Sequence, residues 1–439
     1  MESQTHYLNN DEELRVEVKL GTVVTATLVD GAAEIFGAEL PKKTPTTLPG
    51  GKHAIFSWRG ATIEIAGETE MTYTANASAP MTAYLNVDGV LQRRREAARA
   101  AGTPGPRVAL VGPTDVGKSS VAKILCNYAQ RKGWTPTFSD LDLGQGGITC
   151  PATIGAVPID RPIDACEGLP LEMPLVYFHG DVSPGNNPTL YKFIVDRMGE
   201  MLRARDETNA AAAASGVVVN TMGWIDKAGY GLLLHALEAL AIDVVLVVDH
   251  EKLHAELSRD LRGKKIKVVG GGGGGEDGGA GPETERDVQV WKLQKSGGVV
   301  ERTPEFRRRS RDARVREYFY GPLGDLSPHS QTLEFGKVSI FKIGAGPSAP
   351  RSALPIGQES SADPLRVSTV APSMSLLNAV LGVSHGKTQA ELLSSNVAGF
   401  IFVTDVDVAN GRFTYLTPCP GELPSRNLIA GTLKWIETQ

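Results

Sequence analysis

The eight residues from Gly112 to Ser119, which read GPTDVGKS, have the composition and spacing of a Walker A phosphate-binding loop. Two glycines allow the backbone to curl until consecutive N–H groups point at a phosphate, and Lys118 can then reach the β and γ oxygens. The hydroxyl of Ser119 is suitably placed to bind Mg²⁺. We therefore predict a site for a nucleoside triphosphate and Mg²⁺. Its expected nucleotide contacts are Asp115, Val116, Gly117, Lys118, Ser119 and Ser120.

The segments on both sides of this loop support the interpretation. Val108–Val111 is an apolar strand that leads directly into the loop, and Val121, Ala122, Ile124 and Leu125 follow at helical spacing. The loop would thus open a helix whose N-terminal dipole also favours phosphate. The alternative, a chance match in a glycine-rich chain, does not predict the order strand, loop and helix.

Two carboxylates lie at the end of a second predicted strand. Asp142 is the preferred catalytic acid, because in phosphoryl transfer such a residue can bind Mg²⁺ or accept the proton of an attacking hydroxyl. Asp140 is two residues away, and thus on the same face of an extended strand. Either could serve, and both could also be solvated residues at a strand end.

A basic cluster follows, with seven arginines between Arg302 and Arg316. Thr303 and Pro304 predict the start of a helix on which Arg307, Arg311 and Arg314 share one face. Guanidinium groups arranged in this way suit the charge of a transferring phosphoryl group. A solvated basic face is the competing interpretation.

Trp224 lies just after the apolar strand Val217–Asn220. It could stack on an unpaired nucleobase, because aromatic rings bind bases of any identity. It could equally be a packing residue.

The composition limits the class of protein. The chain has 439 residues and a formal net charge of −5, so it presents no overall attraction to a polyanion. The four cysteines have no zinc-binding spacing, and no apolar run is long enough to span a membrane. We expect a soluble protein of the cytosol or nucleus.

The pattern of elements predicts three domains, at residues 1–100, 101–320 and 321–439. Alternating runs from Leu14 to about Asn86 indicate an antiparallel sandwich or barrel, and a helix is expected from about Leu91 to Ala101. The middle region has the βαβ order of a parallel α/β sheet, and the last has β-type runs of an α+β or β-rich domain. Two segments are expected to be loops or insertions: Gly270 to Glu285, and Gly344 to Pro364.

The buried strands predicted for the central sheet share a high content of branched apolar residues. They are Val108–Val111, Thr137–Asp140, Leu175–Phe178, Val217–Asn220 and Val244–Val248, with helices expected at Leu190–Arg203 and Gly231–Leu240.

Five motifs together resemble the polynucleotide 5′-hydroxyl kinase family, and within it the branch of pre-mRNA cleavage and polyadenylation factors that are subunits of cleavage factor I. They are GPTDVGKS at 112–119, DLDLGQG at 140–146, NTMGW at 220–224, KSGGVVER at 295–302 and REYFYG at 316–321. The stretch GAAEIFG at 31–37 extends the resemblance into the first domain. The family implies an N-terminal β-sandwich, a central P-loop kinase domain and a small C-terminal domain.

The resemblance also implies roles for particular residues. Glu13 and Lys52 would help to hold the nucleotide, Asp142 would be the catalytic carboxylate, and Trp224 would stack on a base. The implied lid arginines are Arg302, Arg307 and Arg311, in place of Arg314 on the helix face.

Two functions are compatible with the resemblance. One is an ATP-binding assembly subunit of the nuclear pre-mRNA 3′-end processing machinery, required for endonucleolytic cleavage, with a large scaffold subunit of cleavage factor I as partner. The other is an active RNA 5′-hydroxyl kinase. In that mechanism Asp142 accepts the proton of the attacking hydroxyl, while Lys118, Mg²⁺ and the lid arginines balance charge. No membrane association is expected.

Overall fold

The computed structural model describes residues 3–269, 283–344 and 363–437. In chain order its strands and helices are β1 (Ser3–Leu8), β2 (Glu12–Gly31), β3 (Glu34–Ile35), β4 (Ala38–Glu39), β5 (Pro45–Ser57), β6 (Ala61–Ala66), β7 (Met71–Asn76), α1 (Ser78–Ala101), β8 (Arg107–Val111), α2 (Lys118–Arg131), β9 (Thr137–Asp140), β10 (Thr153–Pro158), β11 (Leu175–Phe178), α3 (Pro188–Thr208), α4 (Ala210–Ser215), β12 (Val217–Asn220), α5 (Ala228–Ala239), β13 (Val244–Val248), α6 (Glu251–Asp260), β14 (Lys265–Val269), β15 (Glu283–Asp287), β16 (Gln289–Leu293), α7 (Pro304–Tyr320), β17 (His329–Glu334), β18 (Ser339–Ile343), β19 (Val367–Thr369), β20 (Ala379–Ser384), α8 (Gln389–Ser394), β21 (Val397–Asp407), β22 (Arg412–Thr417) and β23 (Asn427–Lys434).

The chain divides into two compact units. The first comprises residues 1–140, 156–174 and 199–302, and the second comprises 141–155, 175–198 and 303–439. Each unit is described by itself below.

The first unit begins with a seven-stranded sheet in the order β1-β6-β2-β5-β3-β4, with β7 also paired to β2. Alternate residues of β2, among them Leu14, Val16 and Val18, are buried in an apolar core with residues of β5 and β6. The two predicted runs at 15–20 and 23–28 form one long strand, with an irregularity in its pairing to β5 between Val18 and Val23. Strand alternation predicted this β-sheet domain correctly.

The helix that follows is longer than expected. Helix α1 begins at Ser78 and contains 24 residues, so the prediction of strand-like structure to about Asn86 and of a helix from Leu91 is wrong at this boundary. Tyr84, Val87 and Leu91 are buried at helical spacing, and this periodicity identifies the earlier helix start.

The second part of the first unit is a parallel sheet with the strand order β9-β12-β8-β13-β16. Every residue of β8, β12 and β13 is buried, as in a sheet covered by helices on both faces. The predicted strands at 137–140, 217–220 and 244–248 coincide with β9, β12 and β13. The expected α/β fold is confirmed.

The predicted insertion from Gly270 to Glu285 extends too far at its C-terminal end. Residues 270–282 lie outside the described residues, but Glu283–Asp287 forms β15, which pairs antiparallel with β14. The sequence of β15, ETERD, has no apolar residue. The strand could therefore not be predicted from hydrophobic alternation, and it is identified by its pairing with β14.

The second unit contains a seven-stranded sheet in the order β17-β22-β21-β20-β23-β18-β19. Its core includes Leu381, Ile401, Val403 and Phe413, in agreement with the predicted β-rich region. Phe178 of β11 packs edge-on against Phe400 of β21, with ring centroids 5.3 Å apart. Of the predicted loop from Gly344 to Pro364, residues 345–362 lie outside the described residues. Among the helices that the structure describes, none has the length and apolar character of a membrane span.

Candidate nucleotide-binding site

The loop between β8 and α2 has a backbone that glycine makes possible. Gly112 and Gly117 have φ angles of +152° and +87°, and Asp115 has a φ of +58°. A side chain on Gly112 would place its Cβ 2.8 Å from the carbonyl oxygen of Val248. Gly117 is the N-cap of α2, so the first N–H groups of this helix face the loop rather than helical partners. The curled backbone predicted for a phosphate-binding loop is present.

Lys118 is the first residue of α2 and is only 7% exposed. Its ammonium donates hydrogen bonds to the carbonyl oxygens of Gly112 and Pro113, at 2.9 and 2.6 Å. A buried ammonium requires such acceptors, because an unpaired charge away from water is very costly. These bonds hold the charge at the mouth of the curled loop. The next residue, Ser119, is exposed in the first helical turn.

Two glycines allow close packing around Trp224. Gly223 lies against the phosphate-binding loop, and Gly229 lies against the Trp224 ring. A Cβ on Gly223 would lie 2.6 Å from the backbone nitrogen of Thr114, so the chain after β12 lies directly against the loop. A Cβ on Gly229 would lie 2.5 Å from a ring carbon of Trp224, so the indole covers the start of α5. Trp224 nevertheless remains 38% exposed, which leaves surface for a ligand. Base stacking by Trp224 stays a prediction.

The two candidate carboxylates have different surroundings. Asp140 is 4% exposed, and its Oδ1 accepts a hydrogen bond of 3.0 Å from Nδ2 of Asn220, at the end of the adjacent strand. Asp142 is half-buried, and its Oδ1 accepts hydrogen bonds from the backbone N–H groups of Gly144 and Gln145, at 2.9 and 3.1 Å. This turn fixes the orientation of the Asp142 carboxylate.

Within the second unit, the turn at Asp142 contacts the arginine-rich helix α7. The side-chain amide of Gln145 donates to the carbonyl oxygen of Arg307, at 3.4 Å. Helix α7 begins at Pro304 as predicted, and the hydroxyl of the N-cap Thr303 accepts from the N–H of Phe306. The structure thus brings Asp142 and the first turns of α7 into one neighbourhood, an association that sequence spacing does not reveal.

The arginines of this region have distinct partners. Arg307 and Arg311 are half-buried on α7, whereas Arg309 and Arg314 form ion pairs with Glu305 and Glu317 of the same helix. Arg302 belongs to the first unit, where its backbone N–H donates to Oδ2 of Asp115 in the phosphate-binding loop, at 2.9 Å.

The N-terminal sheet contributes a polar patch near Glu13. On one face of β2 and β5 lie Glu13, Arg15, Glu17 and Lys52, since Leu14, Val16 and Val18 point into the core. Lys52 pairs with Glu17, the residue opposite it across the two strands, at 2.9 Å. Glu13 is 3% exposed and forms an ion pair with Arg15.

The same sheet is attached to α2, the helix that begins with Lys118. Asn127 donates from Nδ2 to the carbonyl oxygen of Phe36 at 2.9 Å, and Gly37 lies so close that a Cβ would be 3.0 Å from the carbonyl oxygen of Ile124. Tyr128 and Arg131 both donate to the carboxylate of Glu34. Burial raises the pKa of Glu34 and of Tyr128. The motif GAAEIFG is therefore a docking element for the nucleotide-loop helix.

The first unit thus gathers Glu13, Lys118, Trp224 and Arg302 among the predicted site residues, and the second gathers Asp142, Arg307 and Arg311. Among the described residues there is no group of three or more His, Cys, Asp or Glu side chains arranged as a metal site. Mg²⁺ bound with a nucleotide needs only one or two protein oxygens besides phosphates and water, so the hydroxyl of Ser119 fits that ion.

Sequence reasoning missed Arg15 and the close-packed Gly223 and Gly229. Arg15 forms an ion pair with Glu13. It could have been predicted from the sequence, because residues two apart on a strand have their side chains on the same face. No local signal marks the two glycines, because their close neighbours are brought in by the fold.

These features define a P-loop protein with an N-terminal β-sheet domain and a C-terminal β-rich region. The sequence matches three family descriptions: the N-terminal β-sandwich domain of polyadenylation factor at residues 7–98, the P-loop of mRNA cleavage and polyadenylation factor CLP1 at 112–270 and 281–321, and pre-mRNA cleavage complex II protein Clp1 at 326–437. The chain belongs to the Clp1 family of mRNA cleavage and polyadenylation factors.

Two relatives span almost the whole chain. The "Protein CLP1 homolog" of Arabidopsis thaliana is 45% identical over 439 residues, which cover 98% of this chain and 94% of the relative. The human "Polyribonucleotide 5'-hydroxyl-kinase Clp1" is 41% identical over 432 residues, covering 98% and 96%.

Two solved structures share the fold, both with a TM-score of 0.81 and 22% sequence identity. One is the wild-type Clp1p–Pcf11p complex, in which the match covers all of this chain and 99% of that chain. The other structure describes the extended interface between Pcf11p and Clp1p and the structural basis of ATP loss in a point mutant. The match covers 99% of this chain and 99% of that chain.

Proposed function

We propose that this protein is an ATP-binding subunit of the nuclear machinery that cleaves and polyadenylates pre-mRNA. The observation that carries the proposal is the curled loop with its buried Lys118, found in a chain that belongs to a family of cleavage and polyadenylation factors. Lys118 supplies a positive charge for the β and γ phosphates, and the N–H groups at the start of α2 supply donors.

The cofactor assignment extends to Mg²⁺ and to the N-terminal sheet. Ser119 and Asp142 are the proposed protein ligands of Mg²⁺, which neutralises phosphate charge when it is bound. Glu13 and Lys52 are proposed to contact the nucleotide. The three-domain division at residues 1–100, 101–320 and 321–439 is part of the same proposal.

The proposed partner is a scaffold subunit of cleavage factor I. Support comes from the fold: one solved structure of this fold is a complex of Clp1p with Pcf11p. A scaffold that binds the ATP-loaded protein would make the nucleotide a structural ligand, because a ligand that binds only the folded state stabilises that state, and more so as its free concentration exceeds its Kd.

A combined binding experiment tests this role. The purified full chain is expected to bind MgATP in calorimetry and to co-purify with a Pcf11-type scaffold, and Lys118→Ala is expected to lose both. The exposed residue Lys252 provides the control Lys252→Ala, which should retain both. A native protein that binds no ATP would refute the cofactor assignment. ATP binding without scaffold association would refute the assembly role.

RNA 5′-hydroxyl kinase activity is the second candidate. It is favoured by the relatives named polyribonucleotide 5′-hydroxyl-kinase and by the oriented carboxylate of Asp142. In this mechanism the RNA hydroxyl attacks the γ-phosphate in line, the bond to the β–γ bridging oxygen breaks so that ADP leaves, and the Asp142 carboxylate accepts the hydroxyl proton. Lys118 and the lid arginines Arg302, Arg307 and Arg311 stabilise the charge of the transferring group, and Trp224 stacks on a base of the RNA.

Transfer of labelled γ-phosphate from ATP to a short RNA with a free 5′-hydroxyl tests this candidate. Asp142→Asn keeps an oxygen that can accept from Gly144 and Gln145 but removes the base, so transfer should fall by about 10²- to 10⁴-fold while ATP binding persists. Asp164 likewise accepts two backbone N–H bonds in a turn, but it is exposed, so Asp164→Asn is the control for the substitution itself and should keep full activity.

Each outcome of that assay is informative. Loss of transfer in Asp142→Asn alone would establish a working kinase with Asp142 as a catalytic residue. No transfer by folded, ATP-loaded native protein would exclude the kinase and leave the assembly role.

A further inference from the structure

Arg15 holds the carboxylate of Glu13 from one side. Its Nε and Nη2 atoms lie 2.6 and 2.5 Å from Oε1 of Glu13, and its guanidinium also lies over the ring of Tyr73 at 5.6 Å. The Arg15 side chain is 12% exposed and that of Glu13 is 4% exposed, so neither is an ordinary solvated surface group. The hydroxyl of Ser296 approaches the same Oε1 at 3.4 Å. All three contacts fall on the same carboxylate oxygen of Glu13.

Arg15 also packs against residues far away in the sequence, in the stretch 294–302, here called the bridging segment. A Cβ on Gly298 would lie 2.9 Å from Nε of Arg15 and 3.2 Å from its Cζ. A Cβ on Gly297 would lie 3.4 Å from Nη2 of Arg15 and 3.8 Å from its Nη1, which are ordinary van der Waals contacts. The absence of a side chain at Gly298 is therefore what allows the guanidinium to lie on the bridging segment.

The other end of the bridging segment contacts the phosphate-binding loop at two points. A Cβ on Gly117 would lie 3.0 Å from Cγ2 of Val299, and the N–H of Arg302 donates to Asp115. At its start, the segment is fixed by the hydroxyl of Tyr84, which donates to the carbonyl oxygen of Gln294 at 2.9 Å. A continuous path of contacts thus leads from Arg15 to the loop that holds Lys118.

We infer that Arg15 is a positioning residue of the nucleotide site, which orients Glu13 and joins the N-terminal sheet to the phosphate-binding loop through the bridging segment. The inference rests on the proposed ATP binding. Arg15 also offsets the negative charge of Glu13, which would otherwise repel a polyphosphate. Removal of Arg15 therefore weakens nucleotide binding because Glu13 and the bridging segment at Gly298 are no longer held in place. Arg15 itself takes no part in the reaction.

The two adjacent glycines provide a matched test. Gly298→Ala should displace the guanidinium and weaken MgATP binding about tenfold in calorimetry, whereas Gly297→Ala should have a clearly smaller effect. Neither glycine has a left-handed φ, so backbone strain does not separate the two variants. Gly89→Ala, where a Cβ meets nothing within 4 Å, should leave binding unchanged. If a kinase assay is positive, Gly298→Ala should raise the KM for ATP and leave kcat within about twofold.

Introducing Gly298→Ala into the Arg15→Ala variant shows whether Gly298→Ala weakens MgATP binding through the guanidinium of Arg15. Arg15→Ala should itself weaken MgATP binding about tenfold or more, and Gly298→Ala should then add less than about twofold. Thermal unfolding without nucleotide verifies that each variant is folded. Equal effects of Gly297→Ala and Gly298→Ala, or a full effect of Gly298→Ala in the Arg15→Ala background, would overturn the inference. Failure of native protein to bind MgATP would instead refute the proposed function itself.

Discussion

The phosphate-binding loop and the Glu13 patch are built in different ways, although both belong to the first unit. The carbonyl groups that bind Lys118 lie five and six residues away in the sequence. Ser296, which approaches Glu13, lies 283 residues away. One region is therefore a property of a short peptide, and the other exists only when the sheet and the bridging segment are assembled.

The two regions also differ in which atoms they use. The loop presents backbone N–H groups and depends on left-handed φ angles at Gly112, Asp115 and Gly117. The Glu13 patch depends on side chains, whose positions follow from strand pairing and from contacts with Arg15. Substitutions in the loop should therefore weaken nucleotide binding strongly, and substitutions on the N-terminal side should weaken it less.

The largest effect is expected for Gly117→Ala. The residue has a φ of +87° and lies next to Val299, so alanine should weaken MgATP binding about 100-fold in calorimetry by distorting the phosphate cradle. Gly133 has a φ of +80° with nothing within 4 Å of a Cβ, so Gly133→Ala carries similar strain, about 1–2 kcal/mol, without touching the loop. If both variants lose ATP equally, global destabilisation explains the loss and the local character of the loop is disproved.

An intermediate effect is expected where the N-terminal sheet docks on α2. Tyr128→Phe removes a donor from the buried carboxylate of Glu34 and should lower the free energy of unfolding by about 2 kcal/mol, measured by urea denaturation. Tyr7 is 75% exposed, so Tyr7→Phe should change the free energy of unfolding by less than about 0.5 kcal/mol. Equal stabilities of the two variants would show that this docking contact contributes nothing.

The smallest effect concerns His53 of β5, next to Lys52. Burial, with a smaller contribution from the charge of Lys123, lowers the pKa of His53 below its ordinary value of 6.5. The unfolded chain therefore binds a proton more readily, and the stability contributed by neutral His53 is present above about pH 6.5 and lost as the pH falls below it.

Between pH 7.5 and 5.5 the native protein should lose more stability than His53→Gln does. Urea denaturation at the two pH values measures this difference. His329 is exposed, so His329→Gln should reproduce the native pH dependence. A native loss no larger than that of His53→Gln would contradict the prediction.

The sequence predicted strand bounds and helix starts correctly where neighbouring residues determine them. The four strands at 137–140, 175–178, 217–220 and 244–248 have the predicted bounds. Three of them are short, largely apolar runs that must be buried, and the fourth, Thr137–Asp140, is buried although Phe138 is its only apolar residue. The start of α7 was correct because Thr303 and Pro304 are a cap and a first-turn residue. The predicted start of α1 at about Leu91 is wrong, because Tyr84 and Val87 already have the helical spacing of buried residues.

The sequence by itself determined that this chain has a phosphate-binding loop, because the loop is a backbone conformation encoded by glycines and a lysine within eight residues. Tertiary structure decided which other side chains stand beside it. Arg15, Ser296 and Gly223 acquire their roles from strand register and close backbone approach, and these are properties of residues that are distant in the chain. The packing of Gly298 on Arg15 is of this kind, since only the assembled fold brings a glycine and a guanidinium together.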